Sequence, residues 1–146
     1  MTAERYGFIL IAGEKYWERL RQRSRDGKKT HAFVRKSQVG PVATKELLFY
    51  VKKPAMQIRG VADFIERLTG SRDEMWTKYG AETCFESADE YNAIVQGREK
   101  VTFVRFQNLV ELEAPKSTDE LVRILGSIQW FRGKYVDSET ASQLTT

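Results

Sequence analysis

Two adjacent strand-like segments constrain the fold more than any other feature of this sequence. The run from Glu46 to Leu68 reads ELLFYVKKPAMQIRGVADFIERL. Its first part alternates with a period of two, and both alternating sets are mostly apolar, which is typical of a strand covered on both faces. Lys53-Pro54 ends this strand, because proline cannot donate to a sheet ladder.

The second strand of this pair is predicted from Met56 to about Glu66, with Gly60 in its middle. A glycine inside a strand pattern marks a bulge or a sharp bend, as at the corner of a small barrel. A long bent strand beside a doubly covered one favours a closed or nearly closed sheet.

Three segments in the second half of the chain begin with S-x-x-E, the capping box in which serine and glutamate satisfy the first backbone N–H groups of a helix. They start at Ser71, Ser87 and Ser117, and each is followed by an amphipathic run and a glycine. We predict short helices there. Between the second and third, Lys100 to Leu109 is predicted as a strand whose Arg105 needs a partner, either a core acid or a ligand.

Length and composition exclude several classes of protein. At 146 residues the chain is predicted to form one domain over 1–136, with a polar tail at 137–146 that frays. His31 and Cys84 are the only residues of their types, which excludes an internal disulfide and a cysteine-based zinc site. We expect no metal and no cofactor. The apolar runs are too short to cross a membrane, and the start is too short and too acidic for a signal peptide, so a cytoplasmic location is expected.

The charge is unevenly distributed along the chain. Residues 1–60 hold 14 Lys/Arg and 5 Asp/Glu, a net charge of +9, whereas residues 61–146 hold 10 and 15, a net charge of −5. A basic half suggests a polyanionic partner, nucleic acid first. The alternative is a surface rich in ion pairs, with the two halves interleaved in space.

A basic row is predicted on the first helix, Glu14 to about Arg25. Lys15, Arg19 and Arg23 recur at intervals of four residues, where like charges repel by a few tenths of a kcal/mol per pair. Helix stability therefore does not explain the row. A functional surface and an ordinary solvated face remain equally open.

Three other basic groups are candidate phosphate contacts. Arg35 and Lys36 precede a loop containing Gly40-Pro41 that could cradle a phosphate, and Lys52-Lys53 lie at the turn of the organising strands. Near the C-terminus cations alternate with aromatic residues, a pattern that suits stacking on bases or a closing core strand with exposed cations. This group comprises Trp130, Phe131, Arg132, Lys134 and Tyr135.

Catalysis has less support in the sequence. Lys53, Glu66 and Thr44 are residues of the types that could hydrolyse an amide, but their spacing does not single them out. Cys84 is interpreted as a small core residue rather than a nucleophile. Core packing is the preferred interpretation of at least one of Trp76 and Tyr79.

Four segments together resemble the PUA-like superfamily, which includes the PUA, ASCH and EVE domains. They are FVRK (33–36), LLFYVKKP (47–54), IRGVADFIE (58–66) and KVTFVRFQNL (100–109). In EVE-like and ASCH-like domains a strand of this type bends at its glycine, and Gly60 matches that position. The resemblance extends over nearly all of the chain and is narrower to a mainly archaeal family of PUA-like domains.

The resemblance implies a compact pseudo-barrel and RNA binding, with a modified or flipped base as the recognised element. EVE-like relatives hold a modified base in an aromatic-lined pocket, and some ASCH-like relatives hydrolyse an acylated cytidine with Lys and Glu. This sequence departs from the ASCH pattern, because the signature G-x-K-x-x-E-x-R is not found intact.

We therefore predict a single α+β domain, a small mixed, mainly antiparallel β-barrel (PUA-like pseudo-barrel) with short helices around it. The predicted function is non-catalytic binding of RNA or of a nucleotide. Among RNAs, tRNA or rRNA is the expected partner. The expected contacts are Arg35, Lys36, Lys52 and Lys53 to phosphates, Trp130 and Arg132 to base or backbone, and Lys15, Arg19 and Arg23 as an extension of the footprint. Two alternatives stay open: an ASCH-like amidohydrolase acting on a modified nucleoside, which needs a Lys/Glu pair in one pocket, and a protein-interaction module whose basic face docks an acidic partner.

Overall fold

The computed structural model describes residues 5–35, 41–127 and 133–146. The strands are β1 Gly7–Ala12, β2 Thr30–Arg35, β3 Glu46–Val51, β4 Gln57–Ser71, β5 Lys100–Glu111 and β6 Lys134–Val136. The helices are α1 Glu14–Arg25, α2 Arg72–Tyr79, α3 Ala88–Val95, α4 Thr118–Leu125 and α5 Ser138–Thr145, with a 3-10 turn at Gly80–Glu82.

The strands of the described residues form one sheet in the order β2-β5-β4-β3-β1-β6. β1 runs parallel to β3 and the other neighbours are antiparallel, so the predicted mixed, mainly antiparallel α+β architecture is confirmed. β2 and β6 each have one strand neighbour. The described strands therefore form an open sheet and not the closed barrel that the sequence predicted, because a bend curves a sheet without joining its edges.

The sheet is packed on both faces, as the double alternation of β3 predicts. Leu47 and Phe49 pack on one face with Trp17 of α1, whereas Leu48 packs on the other face with Leu121 of α4. Successive side chains of a strand point to opposite faces. β3 therefore contributes to two apolar cores at once.

The pairing of β3 with β4 is irregular at Gly60. Phe49 of β3 pairs with Gly60 but the next residue, Tyr50, pairs with Ile58, so β4 carries an extra residue there. A Cβ on Gly60 would lie 2.4 Å from Cη2 of Trp17. Only glycine lets the indole approach the backbone this closely, and the predicted irregularity at this glycine is confirmed.

The predicted caps are present at the helix starts. The hydroxyl oxygens of Ser71, Ser87 and Ser117 each accept a hydrogen bond from the backbone N–H three residues later, at 3.2 to 3.3 Å.

The C-terminal segment differs from its prediction. It does not fray but forms α5, capped by Asp137 and anchored by the fully buried Leu144, because two apolar residues on one face suffice to dock it on the second core.

No helix in the described ranges is both long enough and apolar enough to span a membrane.

Candidate nucleic-acid interface

The basic row of α1 lies against α3. Lys15 Nζ is 3.5 Å from Glu90 Oε2, and Arg19 Nη1 donates to Glu90 Oε1 at 2.6 Å. Arg19 Nη2 is also 3.2 Å from a carboxylate oxygen of Glu86. The Arg19–Glu90 hydrogen bond raises the pKa of Arg19 and lowers the pKa of Glu90. Two members of the row therefore dock α1 on α3, and their contact with nucleic acid stays a prediction.

Arg23, the third member of the row, lies in the last turn of α1 and has other partners. Its guanidinium donates to the carbonyl oxygens of Ala81 and Thr30, both at 3.1 Å, and to His31 Nδ1 at 3.2 Å. His31 is fully buried and stacks on Phe106, with ring centroids 5.3 Å apart. Burial, with the adjacent guanidinium, lowers the pKa of His31 to about 4. His31 is therefore neutral at pH 7. Because Arg23 is bound within the fold, its contact with nucleic acid stays a prediction.

Ion pairs also join the two halves of the chain. Arg25 lies 2.9 Å from Glu111, and Arg21 lies 3.6 Å from the same carboxylate. Together with the Arg19 pairs, these contacts place arginines of the basic half against glutamates of the acidic half. Part of the +9 charge is therefore neutralised within the fold, which fits the interleaved interpretation at α1.

A cavity of about 220 Å³ opens beside the α1–α3 contact, and we call it the β2 cavity. Three of its walls are the aromatic rings of Tyr16, Phe33 and Phe85, and the rings of Tyr16 and Phe85 meet edge to face with centroids 5.8 Å apart. Apart from the Tyr16 hydroxyl, its polar side chains are Lys52 and Cys84. Burial raises the pKa of Cys84 to about 11, so this residue is a neutral thiol. The cavity is thus aromatic, with Lys52 as its cation.

The position of the β2 cavity follows from the curl of the sheet. Its walls include Ile11 of β1 and the consecutive residues 32–34 of β2. β1 and β2 are separated by three other strands in the sheet order, so the sheet must curve far enough to bring them to one cavity. The cavity therefore lies where the curved sheet brings β1 and β2 to a common wall.

The N-terminus of α1 borders the same cavity. Gly13, which precedes the helix, lines the cavity and supplies no side-chain cap, whereas serine or aspartate caps the other described α-helices. The positive end of the helix dipole lies at this wall, where it favours negative charge. It adds to the positive potential from Lys52.

The predicted phosphate-binding residues are only partly placed. Lys52 lines the β2 cavity, Lys53 follows it in the turn after β3, and both side chains are exposed. Arg35 ends β2, next to the lining residue Val34. Three predicted residues lie outside the described residues, namely Lys36, Trp130 and Arg132. The loop glycine Gly40 lies outside them too.

Two of the residues that could have formed a hydrolytic group have other partners. Glu66 is ion-paired with Arg105 at 2.5 Å, and the Thr44 hydroxyl donates to the Tyr6 carbonyl oxygen at 2.7 Å. Arg105 is therefore paired with acids rather than aimed at a ligand. Over 5–35, 41–127 and 133–146, no group of three or more His, Cys, Asp or Glu residues is placed to hold a metal ion.

The fold is similar to that of solved ASCH structures, in agreement with the sequence resemblance to the PUA-like superfamily. Within that class it matches crystal structures of the ASCH protein from Zymomonas mobilis. The wild-type structure has a TM-score of 0.79 and 20% identity, over 96% of this chain and 94% of that one. A serine-to-alanine mutant of that protein has a TM-score of 0.80 and 21% identity, over 97% and 95%.

At this level of identity the likeness shows a shared fold, and it gives no support to the mainly archaeal placement. No family model matches the sequence. A comparison with curated proteins also finds no match.

Part of the ASCH signature is present at the cavity wall, and our sequence analysis missed it. Gly13, Lys15 and Glu18 have the spacing G-x-K-x-x-E, whereas the position of the final arginine is Leu20. Leu20 is fully buried in the core beneath α1. A search that allowed one departure from the signature would have found this segment and pointed to the N-terminus of α1.

Proposed function

We propose that this protein binds RNA that contains an unpaired base, with the base in the β2 cavity and the sugar-phosphate backbone along the cations at its mouth. The observation that carries the proposal is an aromatic-lined cavity that contains Lys52. Single-stranded nucleic acid is commonly held by such a combination of aromatic rings and cations.

The size of the cavity limits what enters it. Pockets for drug-sized ligands begin at roughly 300 Å³, and the β2 cavity has about 220 Å³. A single base fits this description better than a whole nucleotide. Stacking on an aromatic side chain is worth about 1–3 kcal/mol per base, which is enough to keep an unpaired base out of water.

The phosphates would contact Lys52 and Lys53. Among the described residues no acidic side chain forms an ion pair with either lysine, in contrast to Lys15 and Arg19. Their charges therefore remain available to a polyanion. Arg35 lies beside the same cavity and is a further candidate.

The proposal is tested by binding of total tRNA and of a short single strand across a range of salt concentrations. We expect micromolar or tighter binding that weakens steeply with salt, since each neutralised phosphate of a single strand contributes about −0.7 to the slope of log K against log salt. The double variant Lys52→Ala/Lys53→Ala should weaken binding and reduce that slope by about 1 to 1.5.

A matched control is Lys28→Ala/Lys29→Ala. These lysines are also exposed and the charge change is the same, but they follow the C-terminal end of α1, whereas the cavity lies at its N-terminal end. The control should bind nearly as the wild-type protein does. Absence of binding at low salt, or equal losses in the two double variants, would contradict the proposal.

A second candidate function is hydrolysis of an acylated nucleoside. It is favoured by one observation: Lys15, at the lysine position of the partial signature, lies 3.5 Å from Glu90 next to the cavity. The reaction would break the amide C–N bond, with water supplying the oxygen of the released carboxylate. Incubation with N4-acetylcytidine and detection of cytidine tests it, and Lys15→Ala should abolish the product. A lack of turnover by the wild-type protein removes this candidate and leaves the binding proposal intact.

A further inference from the structure

We propose that the outward-facing backbone of β2 reads the base in the β2 cavity. In this inference, which rests on the proposed function, the N–H and C=O groups of Ala32 and Val34 bind the Watson–Crick edge of an unpaired base. The site would then select a base whose pairing edge is free, whatever its identity.

The backbone groups of β5 alternate between its two neighbouring strands. Arg72 N donates to Glu99 O at 2.8 Å, in register with the β4–β5 ladder that pairs Gly70 with Val101 and Leu68 with Phe103. Antiparallel residues alternate between a hydrogen-bonded and a non-hydrogen-bonded pair. Val101 and Phe103 therefore direct their backbone groups to β4.

The same alternation fixes the direction of the backbone groups in β2. Since Phe103 faces β4, its neighbour Val104 directs its N–H and C=O to the other side, toward β2, where its register partner is Phe33. Phe33 is thus hydrogen-bonded to β5. Ala32 and Val34 then direct their own N–H and C=O groups away from β5, toward the free edge of the strand.

Two observations agree with this assignment. Thr30 is two residues before Ala32, so the backbone groups of both point to the same side of β2. The carbonyl oxygen of Thr30 accepts a hydrogen bond from Arg23 Nη2 at 3.1 Å, which shows that it points away from β5. In addition, three consecutive residues of β2 line the cavity, although successive side chains alternate between faces. The cavity must therefore run along the edge of the strand.

In the part of the chain that the structure describes, the free edge at the cavity has no hydrogen-bond partner. Within the described chain, Ala32 and Val34 form no backbone hydrogen bond outside the ladder. Ala32 is only 2% exposed, and buried backbone groups are almost always paired. A free edge inside an aromatic cavity points to a ligand that supplies the missing donor and acceptor.

The chemistry of the edge defines the ligand class. An outward-facing strand residue offers one donor and one acceptor side by side, so it binds a planar group with an adjacent acceptor and donor. The Watson–Crick edges of all four RNA bases contain such a pair, for example O4 and N3–H of uracil. A base-paired or N3-methylated base cannot use it. An extended peptide could add to the same edge, but aromatic walls favour a flat ring.

The decisive comparison uses two RNA pentamers with equal numbers of phosphates, pentauridylate and the same chain built from N3-methyluridine. We expect the methylated pentamer to bind about 10-fold more weakly or worse, since a hydrogen bond is lost and its protein partner is left unpaired. Equal, salt-dependent binding of both would overturn this inference and leave the proposed function standing. If neither pentamer nor tRNA binds, both fail.

A protein variant tests the same contact from the other side. Val34→Pro removes an N–H that takes no part in the ladder, a substitution that edge strands tolerate, whereas Val34→Ala shortens the side chain and keeps the N–H. We expect Val34→Pro, but not Val34→Ala, to lose the preference for pentauridylate over its methylated form. Equal preference in both folded variants would overturn the inference.

Amide signals in NMR provide a third readout that needs no substitution. Addition of pentauridylate should shift the Ala32 and Val34 amide protons and slow their exchange with solvent, while Phe33, already in the ladder, serves as the internal control. Unchanged Ala32 and Val34 signals at saturating pentauridylate would overturn the inference. So would protection of these amides by an extended peptide and not by the RNA.

Discussion

Arg105 of β5 donates two hydrogen bonds to the carboxylate of Glu82 in the 3-10 turn, with Nε 2.8 Å from Oε1 and Nη2 2.9 Å from Oε2. Its third nitrogen reaches Glu66 of β4, and its guanidinium lies 4.9 Å from the ring centre of Tyr79. One side chain thereby fastens the 3-10 turn, and the segment that leads to the β2 cavity, to the sheet.

Replacement of this arginine should destabilise the fold. In Arg105→Met two partly buried carboxylates lose their partner, and we expect the free energy of unfolding to fall by about 2–4 kcal/mol. Denaturant unfolding measures the change. Arg25→Met, which breaks the more exposed pair with Glu111, is the matched control and should change the denaturation midpoint far less. Similar shifts in the two variants would contradict the assigned role of Arg105.

Because Gly60 contacts Trp17 closely, we predict that even a methyl side chain at position 60 destabilises the fold. Gly60→Ala places a methyl carbon 2.4 Å from Cη2 of the Trp17 indole, and we expect the free energy of unfolding to fall by about 1–3 kcal/mol because a packed core resists added volume. In Gly13→Ala the nearest atom to the new Cβ is 3.8 Å away, so this control should be close to wild type. Thermal unfolding of both variants checks the prediction, and equal midpoints would refute it.

Because His31 is buried in its neutral form, we predict that the folded protein loses stability in mild acid. Its pKa is depressed from 6.5 to about 4 in the folded protein, so between those values the unfolded chain binds a proton that the folded chain does not. Stability is therefore full above pH 6.5 and falls as the pH decreases toward 4. Between pH 7 and pH 5 this linkage removes about 2 kcal/mol. Unfolding curves of wild type and His31→Gln at both pH values measure it, and parallel losses in the two proteins would show that other groups are responsible.

Cys84 reports on the β2 cavity. Its thiol has a pKa of about 11 and lines the cavity, so alkylation by iodoacetamide at pH 8 should be far slower than in the unfolded chain, because the thiolate is the nucleophile. The rate should rise as the pH approaches 11. Saturating pentauridylate should slow it further. Mass spectrometry gives the rates, and rapid labelling at pH 8 would show that the cavity wall is not as described.

Much of the fold could be predicted from local patterns. The serine caps at Ser71, Ser87 and Ser117, the doubly apolar β3 and the irregularity at Gly60 depend on residues close in sequence, and the structure contains all of them. α5 was missed because its two buried residues, Ala141 and Leu144, form too weak an apolar pattern within a polar segment.

The candidate site was less accessible to sequence reasoning. Lys52 was singled out from the sequence, but its aromatic neighbours Tyr16, Phe33 and Phe85 come from three distant segments. The same holds for the basic row of α1. Its spacing was visible, yet the partner of Lys15 and Arg19 is Glu90, more than seventy residues away.

The sequence by itself determined most of the elements, the serine caps, the double burial of β3 and the irregularity at Gly60, because these depend on periodicity and on the conformational limits of serine, proline and glycine. Only the tertiary structure decided that the described strands form an open sheet, that residues of β1 and β2 line one cavity, and that Ala32 and Val34 face it. The physical reason is that strand order, ion pairing and cavity walls depend on contacts between residues far apart in the chain, about which local sequence patterns carry no information.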